Sequence, residues 1–346
     1  MTPAPLGWLG IIRLGLVQTA LGAIVVLTTS ALNRVMVVEL ALPATLPGIL
    51  VGIHYALQML RPRMGYGSDM GGRRTPWIIG GMAVLALGGV LAAAGTALMG
   101  EALWAGIALA VFAFLMIGAG VGAAGTSLLV LLAARTAPAR RAAAASLVWI
   151  MMIAGFVVTT AIAGRLLDPY SPARLIAVAA GVSAIAFTLA TLAVWGMEGA
   201  RAARPEASEA AKPPFRQALR EVWAEPEARR FTIFIFVSML AYSAQDLILE
   251  PFAGAIFGRS LGETTRISSL QHAGVLVGMI TIALIGSARG GRWAGTLRFW
   301  TIAGCLASAA MMLALSIAGQ FGAAWPLKTS FFALGVANGV FAAAAI

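Results

Sequence analysis

Arg34, Glu39, Asp246 and Glu250 are ionisable side chains lodged in or at the edges of long apolar runs. The two acids of the second set lie in Gln245-Asp246-Leu247-Ile248-Leu249-Glu250-Pro251, at the end of such a run. Four residues apart on a helix they share a face, so two ionised carboxylates there repel unless a cation sits between them. Arg34 is the cation at similar depth in the first run. One expected arrangement is therefore an inter-half latch that pairs Arg34 with Asp246 or Glu250, with Glu39 in the same cluster. In a second, the acids stand in headgroup water at a span end and do nothing specific. A third makes one of them the proton carrier of a small-molecule exporter, although their distance from the midplane weakens it.

The chain has two histidines, His54 in the second apolar run and His272 in the eighth. A neutral imidazole is a metal ligand, so each is a candidate for the magnesium of a chlorin; the alternative is a histidine bonded to a neighbouring helix. Two histidines on different helices make no metal site, and the lone Cys305 offers neither a disulfide nor a thiolate cluster. No Ser/His/Asp set or phosphate loop occurs, so no catalytic residue is expected and the chain does not read as an enzyme. Gly120-x-Gly122-x-x-Gly125 matches a dinucleotide fingerprint but lacks the strand and βαβ context, and with Gly118 it predicts close helix packing instead.

The elements that must position these residues follow from composition. Hydrophobic residues make up 60% of the chain and charged ones 11%, with 40 glycines and a mean hydropathy of +0.91. That apolar surface exceeds what one soluble core could hide, so the expected class is an all-α polytopic membrane protein. The expected spans are 14–41, 46–63, 75–98, 103–133, 142–164, 172–197, 230–251, 262–286, 293–318 and 326–346, the last cut short. The first reads as a retained span rather than a cleaved signal. The net charge of +11 comes mostly from arginines in the loops of one side and in the linker. By the positive-inside bias this predicts a cytoplasmic N-terminus and no nucleic-acid binding.

Thr75-Pro76, Ser171-Pro172 and the Ser260–Glu263 capping box predict the starts of the third, sixth and eighth spans. Between Glu198 and Glu227 the apolar character stops. The expected organisation is an N-terminal six-helix bundle over 1–197, a cytoplasmic linker over 198–229 and an incomplete C-terminal bundle over 230–346, the chain being truncated after about ten spans. In the linker, Phe215, Leu219, Val222 and Trp223 predict one amphipathic helix, either a tether on the headgroups or a docking surface.

Gly65-x-x-x-Asp69-x-x-Gly72-Arg73-Arg74, between the second and third spans, resembles the signature loop of the major facilitator superfamily in spacing and place. The matching loop Gly286-Ser-Ala-Arg289-Gly-Gly291-Arg292 lacks the acid. Two longer runs, TSALNRVMVVELALPA at 29–44 and QDLILEPFAGAIFGRSLGETTRISSLQHAGVLVGM at 245–279, resemble the PucC/LhaA family, a branch of that superfamily. GWLGIIRLGLVQTALGAIVVLTTS and LRPRMGYGSDMGGRRTPW look closest to the members encoded beside bacteriochlorophyll synthase. The resemblance implies a multi-pass protein of the bacterial inner, photosynthetic membrane that delivers bacteriochlorophyll to antenna polypeptides or shepherds their assembly. It implies bacteriochlorophyll as cargo, and antenna polypeptides and bacteriochlorophyll synthase as partners. The synthase's prenyl-transfer chemistry belongs to a separate enzyme with Asp-rich motifs, which this chain lacks.

Overall fold

In lipid a backbone N–H or C=O finds no water, so a chain of this composition must satisfy its peptide groups within each segment. The computed structural model describes residues 5–61, 63–64, 73–198, 220–221, 223–287 and 296–345, and no strand occurs among them. Ten helices stand at the ten expected places. They are α1 (Trp8–Thr29), α2 (Thr45–Gln58), α3 (Thr75–Leu98), α4 (Leu103–Arg135), α5 (Arg141–Leu166), α6 (Pro172–Val194), α7 (Pro226–Phe257), α8 (Leu261–Ser287), α9 (Leu297–Ala318) and α10 (Leu327–Ala345). All but α2, as far as it is described, are long and apolar enough to cross a membrane.

Two of the helices differ most from the sequence reading. α1 begins at Trp8 and continues through a short turn, Ala31–Arg34, into a π-helical turn, Val35–Glu39. α7 begins at Pro226, inside the stretch read as linker, and runs through Pro251 to Phe257 rather than stopping at 251. Of the amphipathic linker segment, Phe215, Leu219 and Val222 lie outside the described residues, while Trp223 is helical and exposed.

In the first half α1 packs on α5 and α6, α3 on α4 and α6, and α2 on α4; in the second, α10 packs on α8 and α9. α5 against α8 is the main contact between the halves, lined by Met152, Ile153, Phe156, Val275 and Met279. The glycine-rich stripe of α4 is consumed by packing. A Cβ on Gly118 would stand 2.7 Å from the His54 carbonyl, and one on Gly120 2.6 Å from the Leu85 amide. A second set that the sequence reading passed over joins α8 to α10. Gly274 and Gly278 face Gly335 and Gly339, and a Cβ on any of the four would strike the opposite backbone.

The caps sort into two kinds. Ser171 accepts the Arg174 amide at 3.2 Å, and Ser260 and Glu263 form the reciprocal box at 3.1 and 3.2 Å, as their spacing predicts. Thr75 does not cap α3. Instead Glu198, after α6, accepts the amides of Arg74 and, at 3.0 Å, Thr75, so a carboxylate closes this helix start from another part of the chain.

Two predictions follow from the packing and the cap. Gly335→Leu forces α8 and α10 apart and is expected to cost about 1–3 kcal/mol of stability, read as a lower melting midpoint in detergent. Gly80→Leu, where a Cβ would meet nothing within 4 Å, leaves the midpoint near the parent value. For Glu198, burial raises the carboxyl pKa, but the amides of Thr75 and Arg74 outweigh it and hold it below the ordinary glutamate value. A lowered folded-state pKa stabilises above the unfolded value and loses that contribution as pH falls through the folded one. Glu198→Gln should therefore melt earlier than the parent at neutral pH, and the gap should close on acidification through the glutamate range.

Candidate functional site: a polar seam between the halves

Proline inside a helix removes one N–H and leaves the carbonyl four residues earlier without its partner. Pro251 does this to Leu247 in α7. The orphaned Leu247 carbonyl accepts from Nδ2 of Asn33, which the Ala31–Arg34 turn brings across from the first half, at 2.5 Å. α7 therefore continues past its proline because the opposite half supplies the missing donor.

The charged cluster is arranged around that joint. Arg34 is 2% exposed, and its guanidinium Nη1 lies 2.5 Å from Glu39 Oε1 while Nη2 donates to the Arg259 carbonyl at 2.6 Å. The direct bond expected between Arg34 and Asp246 or Glu250 is replaced by this ion pair within the first half. The π-helical turn explains the change: its wider winding stacks residues five apart, and so brings Glu39 beside Arg34. Gly254 of α7 lets the guanidinium pass, since a Cβ there would sit 3.0 Å from Arg34 Nε. Glu250, 1% exposed, accepts from the Ser30 hydroxyl across the seam. Asp246 is half-buried and accepts from Gln271 Nε2 of α8 at 3.3 Å.

Neutral amides extend the network into the second half. Ser308 Oγ donates to Asn338 Oδ1 at 2.5 Å, and Asn338 Nδ2 donates to Gln245 Oε1 at 2.9 Å, linking α9, α10 and α7. A search for charges overlooks Asn33, Gln245, Gln271 and Asn338; the available signal was an amide side chain in an apolar run, where polar groups join helices. At the end where α1 finishes and α8 and α10 begin, hereafter the far end, Asp168 makes a further tie. It accepts Gly262 N at 2.9 Å and Ser260 Oγ at 3.0 Å, and Arg266 stands 3.8 Å away.

Both histidines are buried and bonded within their own helices. His272 is 4% exposed, donates from Nδ1 to the Ser268 carbonyl at 2.8 Å and meets the edge of Phe156. His54 is 2% exposed; its Nε2 lies 2.8 Å from Gln58 Nε2, and its Nδ1 has no hydrogen-bond partner. The donor atom a chlorin magnesium needs is thus present at His54, but the ring is buried and packs against Tyr55, 4.9 Å between centroids. Of the signature loop, Gly65, Asp69 and Gly72 lie outside the described residues; Arg73 is exposed, and the Arg74 amide is held by Glu198. Among the described residues no three His, Cys, Asp or Glu side chains gather as a metal site. The seam offers hydrogen bonds that can be made and broken between halves.

The Asn33 joint gives a specific expectation. Asn33→Ala leaves the Leu247 carbonyl buried and unpaired, which should cost about 1–3 kcal/mol. In that background Pro251→Ala restores an N–H for the same carbonyl, so thermal melts should show part of the loss recovered. Pro251→Ala alone should gain nothing comparable. Equal effects of Pro251→Ala in both backgrounds would overturn the assignment.

The PUCC protein family matches residues 31–346. The "Bacteriochlorophyll synthase 44.5 kDa chain" of Rhodobacter capsulatus is 53% identical over 99% of this chain and 78% of its own length. A "Protein PucC" from Cereibacter sphaeroides is 34% identical over 78% of this chain and 61% of its own length, and one from Rhodobacter capsulatus is 30% identical over 96% and 74%. Among solved structures, a bacterial homologue of the human lysosomal transporter Spinster, in an inward-facing and unoccupied conformation, aligns at TM-score 0.65 and 16% identity over 97% of this chain and 73% of that one. The nucleoside transporter NupG aligns at 0.66 and 15% over 96% and 80%. These likenesses show a transporter fold of the major facilitator type. With its apolar helices the chain is a multi-pass membrane protein, and it belongs to the PUCC protein family.

Proposed function

We propose that this chain is a non-catalytic membrane factor for the assembly of bacterial light-harvesting complexes, and that it delivers bacteriochlorophyll to antenna polypeptides beside the synthase that completes the pigment. The observation that carries the reading is the family match over 31–346, reaching into both halves. The 53% identity to a protein named for bacteriochlorophyll synthase supports the link to pigment. The arginine-rich loops support a cytoplasmic N-terminus in the bacterial inner membrane. The acids of the seam are engaged with Ser30 and Gln271, which suits a joint between halves better than a solvated proton relay. A flat apolar pigment made in the membrane would enter from lipid and leave to a neighbouring helix without crossing water.

The test is the near-infrared absorption spectrum of the full-length protein, mildly solubilised from a phototroph that makes bacteriochlorophyll but no antenna polypeptides. Stoichiometric pigment is the expected result. His54→Ala and His272→Ala should leave the band in place, because neither imidazole has open surface for magnesium. A colourless protein that retains antenna polypeptides would replace delivery with scaffolding. A colourless protein without them, but with gradient-driven proton exchange, would favour a small-molecule exporter.

A further inference from the structure

A cleft of about 670 Å³ opens at the far end of the bundle, where α5, α8 and the start of α10 meet. Its polar side is strongly cationic. Arg165 comes from the last turn of α5, Arg259 and Arg266 flank the start of α8, and Lys328 lies in the first turn of α10, against one lining acid, Glu263. The ion pairs present are long and exposed: Arg259 to Glu263 is 3.6 Å, and Arg266 to Asp168 outside the cleft is 3.8 Å. Pairs of that kind hold their partners weakly, so the guanidinium groups can turn to a better anion. The first amides of a helix have no intrahelical acceptor and carry the positive end of its dipole. α10 begins at this wall, adding to the same field. Deeper along the same face of α8 the lining turns apolar at Ile267 and Leu270, and the Trp325 indole also lines the cleft, fixed by its N–H to Ser330 Oγ at 3.0 Å.

A cationic rim above an apolar wall, at the ends of membrane-spanning helices, matches an amphiphile whose anionic head sits at headgroup depth. We propose that this cleft binds the phosphate of an anionic phospholipid, with an acyl chain against Leu270. Arg165 belongs to the first half and the other cations to the second, so the lipid bridges the halves beside the Asp168 tie and favours the form closed at the far end. This site is independent of the pigment reading.

Thermal melting of the full chain in detergent, with phosphatidylglycerol or phosphatidylcholine titrated in, tests it. At a hundredfold excess over the dissociation constant, phosphatidylglycerol should raise the midpoint by roughly 4 °C, and phosphatidylcholine should not. The Arg165→Gln/Lys328→Gln variant should melt like the parent without lipid and lose most of the rise, whereas Arg229→Gln/Arg230→Gln, at the other end of α7, should keep it. Equal stabilisation by the two lipids, or an undiminished response of the first variant, would overturn the site. Inorganic phosphate reproducing the whole shift would overturn the lipid as its ligand.

Discussion

The structure turns on the rule that a backbone carbonyl in lipid must find a donor in the protein. At Leu247 the rule is broken by Pro251 within α7 and mended from the other half by Asn33. Much else at the far end is arranged to make that repair. α1 does not stop at Thr29 but turns through Ala31–Arg34, which carries Ser30, Asn33 and Arg34 to α7. The π-helical turn then returns Glu39 to neutralise the arginine. Gly254 leaves the gap through which Arg34 reaches the Arg259 carbonyl.

Packing and polar bonding divide the work between helix pairs. Within a half, α3 on α4 and α8 on α10 approach closely because glycines remove the side chains between them. Close backbone approach of this kind maximises dispersion contact between the paired helices. Between halves, α5 meets α8 along most of its length through methionine, isoleucine and phenylalanine side chains, with Ser269 donating to the Val157 carbonyl at 2.9 Å, and at the far end through Gly164 against Gly262, where a Cβ would meet the opposite backbone. Flexible thioethers can re-pack when the helices shift, as a backbone in direct contact cannot.

The ten helices and two of the three caps were legible because each rests on local information: a run of apolar residues long enough to span, or a hydroxyl placed before a first turn. The charged cluster was legible as a set of residues, since an arginine and acids in apolar runs stand out, but its pairing was not. That pairing depends on one π-helical turn, and Val35-Met36-Val37-Val38 has the composition of an ordinary helix. The expected end of α7 at 251 coincides with Pro251, which is locally a reason for a helix to stop. The reason fails because the compensating donor is more than two hundred residues away in sequence. Asp168 and Glu198 escaped for the same cause: each caps a helix start that it does not precede.

The location of the ion pair also decides how readily the halves can part. Were Arg34 bonded to Glu250 across the seam, separation would strand a buried charge, at about 3–5 kcal/mol. Instead Arg34 keeps Glu39 within its own half, and Glu250 keeps the hydroxyls of Ser268 and Thr265 on α8 beside its carboxylate. The hydrogen bonds that must break include those of Asn33 to Leu247, Ser30 to Glu250, Arg34 to the Arg259 carbonyl, Asp168 to Gly262 and to Ser260, and Ser269 to the Val157 carbonyl. Interhelical hydrogen bonds in membranes average about 0.6 kcal/mol, so six of them amount to roughly 3–4 kcal/mol. That is the scale on which a minor conformation is held at a population of about 0.1–10%. Cross-half ties that are individually weak, with Arg34 keeping its shortest ion pair inside its own half, make a joint whose closure at the far end is the sum of many small contributions.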